Sequence, residues 1–177
     1  MSKPDSKRLT HIALIAAAYT ALSVALSPMS FGVVQVRASE ALCLLPAICP
    51  SSVWGVTLGC VLTNAIGIAT GANILGALDV IIGSLATLCA AMVTRALRNI
   101  RFKNIPILSS LAPVIFNGIM VGGELAFAIA PAGGFLTAFL SCALSVALGE
   151  FLSCSVLGLL LLHALENNRS AMSFFDE

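Results

Sequence analysis

The chain has 177 residues, 59% of them hydrophobic and 10% charged, where an ordinary globular domain has roughly 45–50% and roughly 25%. This composition excludes a soluble globular protein. It also argues against a nucleic-acid binder, because the basic residues sit in short clusters beside apolar stretches and form no contiguous phosphate-binding face.

In chain order, the first apolar run predicts a helix over residues 10–27, stopped at Ser27-Pro28 and followed by an outer segment, Met29 to Val36, with no clear period. A short second helix is predicted over residues 38–48 and ends in the Pro46 to Pro50 region, where proline removes a backbone donor and clashes with the preceding turn. The third runs over residues 51–69 into Gly67 to Gly71, and the fourth over residues 75–97. The fifth covers residues 106–129 and the sixth residues 135–164, with Pro131-Ala132-Gly133-Gly134 as the turn between them. A spanning helix needs about 20 mostly apolar residues. The expected fold is therefore an all-α integral membrane protein with six transmembrane helices, the second of them short. A tail at residues 1–9 precedes a membrane domain at residues 10–164, and a second tail follows at residues 165–177.

The charges split into two groups. Lys3, Asp5, Lys7 and Arg8 precede the first helix, Arg95, Arg98, Arg101 and Lys103 join the fourth to the fifth, and Glu166, Arg169, Asp176 and Glu177 follow the last. Excess Lys and Arg marks short cytoplasmic loops. Both tails and the 95–103 loop are accordingly assigned to the cytoplasm of a multi-pass cell-membrane protein, and the uncharged 47–52 loop is neutral on the point. A basic start before an apolar run also describes a secretory signal peptide. Ala13, Ala17, Ala21 and Ala25, spaced by four, favour a retained helix instead: they form a smooth stripe suited to close packing in lipid, within the bundle or against another membrane protein.

Arg37, Glu40, Asp79, Glu124 and Glu150 lie inside otherwise apolar sequence, one basic residue against four acidic ones. A charge near the bilayer centre costs at least about 2.5–3.5 kcal/mol, so each is a functional candidate. Four of the five fall in the outer third of the predicted bundle. Glu150 lies roughly 22 Å into the last helix. The local alternatives are an Arg37–Glu40 ion pair at i, i+3, an Asp79 carboxylate facing a helix start, and interhelical hydrogen bonding for Glu124 and Glu150. Asn64 and Asn117 join the set, the latter seven residues before Glu124 and on the same helix face. An acid-rich, outward-opening pocket fits a cationic ligand or one rich in N–H donors. Six cysteines without metal-ligand spacing and two end-placed histidines support neither a metal site nor a nucleophilic enzyme. The glycines around the third and fifth helices read as close helix approaches. Tyr19, Phe31, Trp54, Phe116 and Phe127 could stack on a ring, although packing is the plainer reading.

The run Phe31 to Leu42 with Arg37-Ala-Ser-Glu40, the segment Gly59 to Asn64, the block Asp79 to Leu88, the segment Asn117 to Gly122 with Glu124, and Leu148-Gly149-Glu150 together resemble the QueT family. The likeness extends from about residue 10 to residue 163. These are substrate-binding membrane subunits of energy-coupling factor importers, associated with queuosine precursors. The resemblance implies a bacterial six-helix subunit that captures its ligand outside. It also implies hand-over to a transmembrane scaffold and two cytoplasmic ATPases, with Ala13, Ala17 and Ala21 facing the scaffold. The chain has no G-x-x-x-x-G-K-[ST] loop, so it is expected to bind no cofactor and to leave ATP to its partners. The implied ligand is a 7-deazaguanine such as queuine or its aminomethyl precursor. One acid among Glu40, Asp79, Glu124 and Glu150 would read the guanine edge, another the amine, and Asn64 or Asn117 the ring carbonyl. The alternatives are a secondary carrier using the acids as proton or sodium sites, and the same subunit type with another cationic or donor-rich ligand.

Overall fold

The computed structural model describes residues 6–26, 37–73, 75–131 and 134–175. Among these residues every extended element is helical. They are α1 (Ser6–Ala25), the 3-10 helix η1 (Ala38–Ala47), α2 (Ser52–Ala69), α3 (Ala77–Leu97), α4 (Ile107–Ile129), α5 (Phe135–Glu166) and α6 (Arg169–Phe175). Helices α1 to α5 are the five long and apolar enough to cross a membrane, so five of the six predicted spans are α-helices of spanning length. The predicted outer segment Met29 to Val36, and with it Phe31 and Gln35, lies outside the described residues.

The short second helix differs from expectation in its winding. Contacts with α3 explain why. Arg37 Nη2 stands 3.5 Å from Asp79 Oδ2 in the first turn of α3, while Pro46 O accepts from Arg95 Nη1 in its last turn at 3.2 Å. Asp79 and Arg95 are about 24 Å apart along an α-helix. Ten α-helical residues would cover about 15 Å, whereas 3-10 winding stretches them to about 20 Å, and the long arginine side chains supply the rest. The helix ends at Ala47, within the Pro46 to Pro50 region where the sequence places its end, with Pro46 in its last turn.

The same contacts fix how the chain threads. His11 lies 4.7 Å, ring to ring, from Phe174, and Arg101 forks onto Glu166 at 2.6 and 3.0 Å. The start of α1, the α3–α4 loop and the end of α5 thus share one end of the bundle, joined there by the end of η1.

Small residues set the helix spacing. A Cβ on Gly55 would meet Ile15 Cβ at 2.9 Å, and one on Gly59 would meet Tyr19 Cβ at 2.7 Å, so α2 seats directly on α1. On α4 a Cβ at Gly122 would lie 2.5 Å from Ala143 Cα, and one at Gly118 3.2 Å from Ala147 Cβ. This is close approach of small residues in place of a hydrophobic drive. The face of α1 turned inward is His11, Ile15, Ala16, Tyr19 and Ser23. Ala13, Ala17, Ala21 and Ala25 are all exposed, which removes packing inside the bundle as the reason for the stripe.

The last helix carries a feature absent from the sequence reading, a π-helical stretch at Phe151–Gly158. Gly158 lets η1 pass close by, with a Cβ there only 3.1 Å from Ala41 O.

Substituting Gly122→Ala should lower the thermal midpoint in detergent by the equivalent of about 1–3 kcal/mol, because the clash is with backbone. Gly123→Ala, whose nearest neighbour would be Phe139 Cε2 at 3.6 Å, should leave the midpoint unchanged or raised.

Candidate ligand-binding site

The site is organised around the start of α3. Gly76 precedes the helix with φ of 68°, a left-handed conformation that favours glycine. Asn73 Oδ1 accepts from the N–H groups of Leu75 and Gly76 at 3.0 and 3.3 Å, an Asx-type turn. The same side chain turns its amide inward, and Nδ2 donates to Asp79 Oδ2 at 2.8 Å. Asn64 Nδ2, from α2, donates to the Asp79 backbone carbonyl at 2.9 Å. Gly83 has no Cβ, and one there would lie 2.8 Å from Asp79 Oδ1 and 3.1 Å from Asn64 Nδ2. Its absence gives the carboxylate room to fold back over its own helix.

With Arg37 on the same Oδ2, Asp79 has one oxygen engaged and one open. Asp79 Oδ1, Asn64 Oδ1 and both carboxylate oxygens of Glu124 are buried and have no hydrogen-bond partner among the described residues. Glu124 lies within electrostatic reach of Asp79 and Arg37. These open atoms are all acceptors.

A second acidic cluster lies deeper. The Tyr19 hydroxyl donates to Glu40 Oε1, and Cys43 Sγ donates to Glu40 Oε2 at 2.9 Å. Cys154 Sγ stands 3.0 Å from the Glu40 carbonyl and 3.4 Å from Glu150 Oε2, and Asn117 lies alongside that carboxylate. One atom each from Glu40, Glu150 and Cys154 falls within 4.8 Å of the others, a spacing that a cation could bridge. The depth follows from helix register. Gly118 faces Ala147 and Gly122 faces Ala143, so Glu150 sits near the level of Ile115, about 14 Å below Glu124 along the axis.

All seven residues singled out from the sequence are buried: Arg37, Glu40, Asn64, Asp79, Asn117, Glu124 and Glu150. The alternative of a local Arg37–Glu40 pair meets a different geometry. Arg37 reaches across to Asp79 on α3, while Glu40, three residues on, takes its hydrogen bonds from Tyr19 and Cys43. Asn117 and Glu124 share a face of α4 yet serve different clusters. Asn73, Cys43 and Cys154 were missed as site residues, and Tyr19, read as a possible ring-stacking or packing residue, serves instead as a hydrogen-bond donor to Glu40. For Asn73 a signal existed, an Asn among the turn glycines Gly71 and Gly76. Trp54 and Phe127 are 60% and 77% exposed and do not face the site.

Buried acids inside a bundle of apolar helices mark the interior of a membrane protein as its functional part. The chain belongs to the QueT transporter family, whose pattern it matches over residues 9–167. No curated protein and no solved structure gives a match. Family membership gives the chain a role in membrane transport and not in enzymatic turnover.

Substituting Arg37→Met leaves Asp79 facing Glu124 without its cation and should cost roughly 3–5 kcal/mol, as when one member of a buried pair is removed. Adding Asp79→Asn should recover a large part of that loss in thermal unfolding. A double variant no more stable than the single would argue against the pairing.

Proposed function

We propose that this chain is the substrate-capture subunit of an energy-coupling factor importer and that it binds a queuosine precursor from outside the cell. The observation that carries the ligand class is the set of buried acceptor atoms on Asn64, Asp79 and Glu124 without donors. A 7-deazaguanine such as queuine or its aminomethyl precursor brings N–H groups to such atoms, and an amine suits the acidic excess around them. An anionic vitamin would meet open acceptors and a guanidinium already engaged by Asp79.

Orientation follows from charge. With the Arg95 to Lys103 loop in the cytoplasm, the Asp79–Glu124 cluster faces outward and both termini face inward. The exposed alanines Ala13, Ala17 and Ala21 then present a smooth strip along the membrane to the scaffold subunit. Two cytoplasmic ATPases supply the energy, in keeping with a chain that lacks a phosphate-binding loop.

Uptake of 7-aminomethyl-7-deazaguanine by bacteria expressing this chain should vanish when the ATPase pair is deleted and the proton gradient is kept intact. Persisting uptake would transfer the reading to a secondary carrier using Glu40 and Glu150 as ion sites. Replacing Ala17 by Leu should leave ligand binding by the purified protein within about twofold and reduce uptake at least about tenfold, since one bulky side chain blocks close helix approach. Equal loss of binding and uptake would contradict the docking role.

A further inference from the structure

The four interior acids are not equivalent in what they have left to offer. Asp79 Oδ2 accepts from Asn73 and Arg37. Glu40 accepts on both oxygens, from Tyr19 and from Cys43. Glu150 accepts from Cys154 on Oε2 and has Asn117 beside it. Glu124 alone of the four keeps both oxygens open, and it does so while 6% exposed. A buried carboxylate without donors is costly in a membrane. A partner that brings two donors at once removes that cost in a single contact.

We infer that Glu124 is the specificity-determining residue of the site, accepting two parallel N–H groups from an amidine-like ligand edge. Asp79 Oδ1 and Asn64 Oδ1 take further N–H donors from the same ligand. Asn73 is a positioning residue: by holding Asp79 Oδ2 it leaves Oδ1 as that residue's open atom. Glu40 does not read this edge because both of its oxygens are engaged, and Glu150, about 14 Å deeper than Glu124, lies too far from Asp79 and Asn64 to share a ligand edge with them. The assignment rests on the substrate reading above, since a guanine-type ring carries such an edge in its ring N–H and exocyclic amino group.

Two probes separate the possibilities with purified protein in detergent: 7-aminomethyl-7-deazaguanine and its analogue lacking the exocyclic 2-amino group. The wild-type protein should prefer the first by about 10- to 100-fold, the range of one good two-bond contact. In Glu124→Gln, which replaces one acceptor by a donor, the preference should fall to within about threefold. In Glu150→Gln it should persist even if both affinities drop. The ligand-free Glu124→Gln protein should be at least as thermostable as wild type, which separates lost recognition from lost folding. Glu124→Asp, which keeps the charge but withdraws it by one methylene, should weaken the first probe more than the second. Wild-type discrimination in Glu124→Gln overturns the assignment and leaves the substrate reading standing. Failure of the wild-type protein to bind either probe overturns the substrate reading, and the assignment with it.

Discussion

The Asp79 carboxylate and what it holds together is the constraint on which one half of the bundle depends. Its Oδ2 ties Arg37, at the start of η1, to Asn73, within the α2–α3 turn, and its carbonyl takes the amide of Asn64 from α2. Three segments of an otherwise apolar bundle are thus fixed by polar bonds at one point. In lipid such bonds are hard to exchange, because no water waits to replace them. The same bonds orient Asp79 so that a single oxygen remains open beside Glu124, and structure and recognition share the residue.

The rest of the architecture serves that point. Glycine contacts seat α2 on the side chains of α1 and bring α4 to backbone distance of α5, and the α4–α5 register they fix puts Glu150 well below Glu124. Stretching η1 into a 3-10 helix lets ten residues reach from Arg37 to Pro46, so one short element touches both the acidic cluster and the basic end. The π-helical stretch of α5 lies at the deeper cluster and holds Cys154 between the Glu40 carbonyl and the Glu150 carboxylate. One helix wound tighter than α and one wound looser meet at the deepest acids.

Much of this was legible from residue order. Long apolar runs and their Pro and Gly interruptions locate the five long helices, because lipid leaves the backbone few options. The cost of an intramembrane charge singles out Arg37, Glu40, Asp79, Glu124 and Glu150 before any coordinates. What sequence did not reveal was pairing between helices. The i, i+3 rule points Arg37 at Glu40, but its partner Asp79 is 42 positions away, on a helix that only the folded bundle brings alongside. Nor does composition distinguish a ten-residue α-helix from a 3-10 one, since that choice is made by the distance to be covered. Asn73 escaped notice because a turn asparagine is ordinary. Its role emerges only when Nδ2 is seen on Asp79.

Acceptors left open in the protein define the ligand it should hold. Purifying the protein from cells grown on rich medium, releasing any bound small molecule with acid and measuring its mass therefore tests this most directly. The expected mass is that of a 7-deazaguanine carrying a guanine-type donor edge. Recovery of an anionic compound, or of one with no N–H donors, would contradict it.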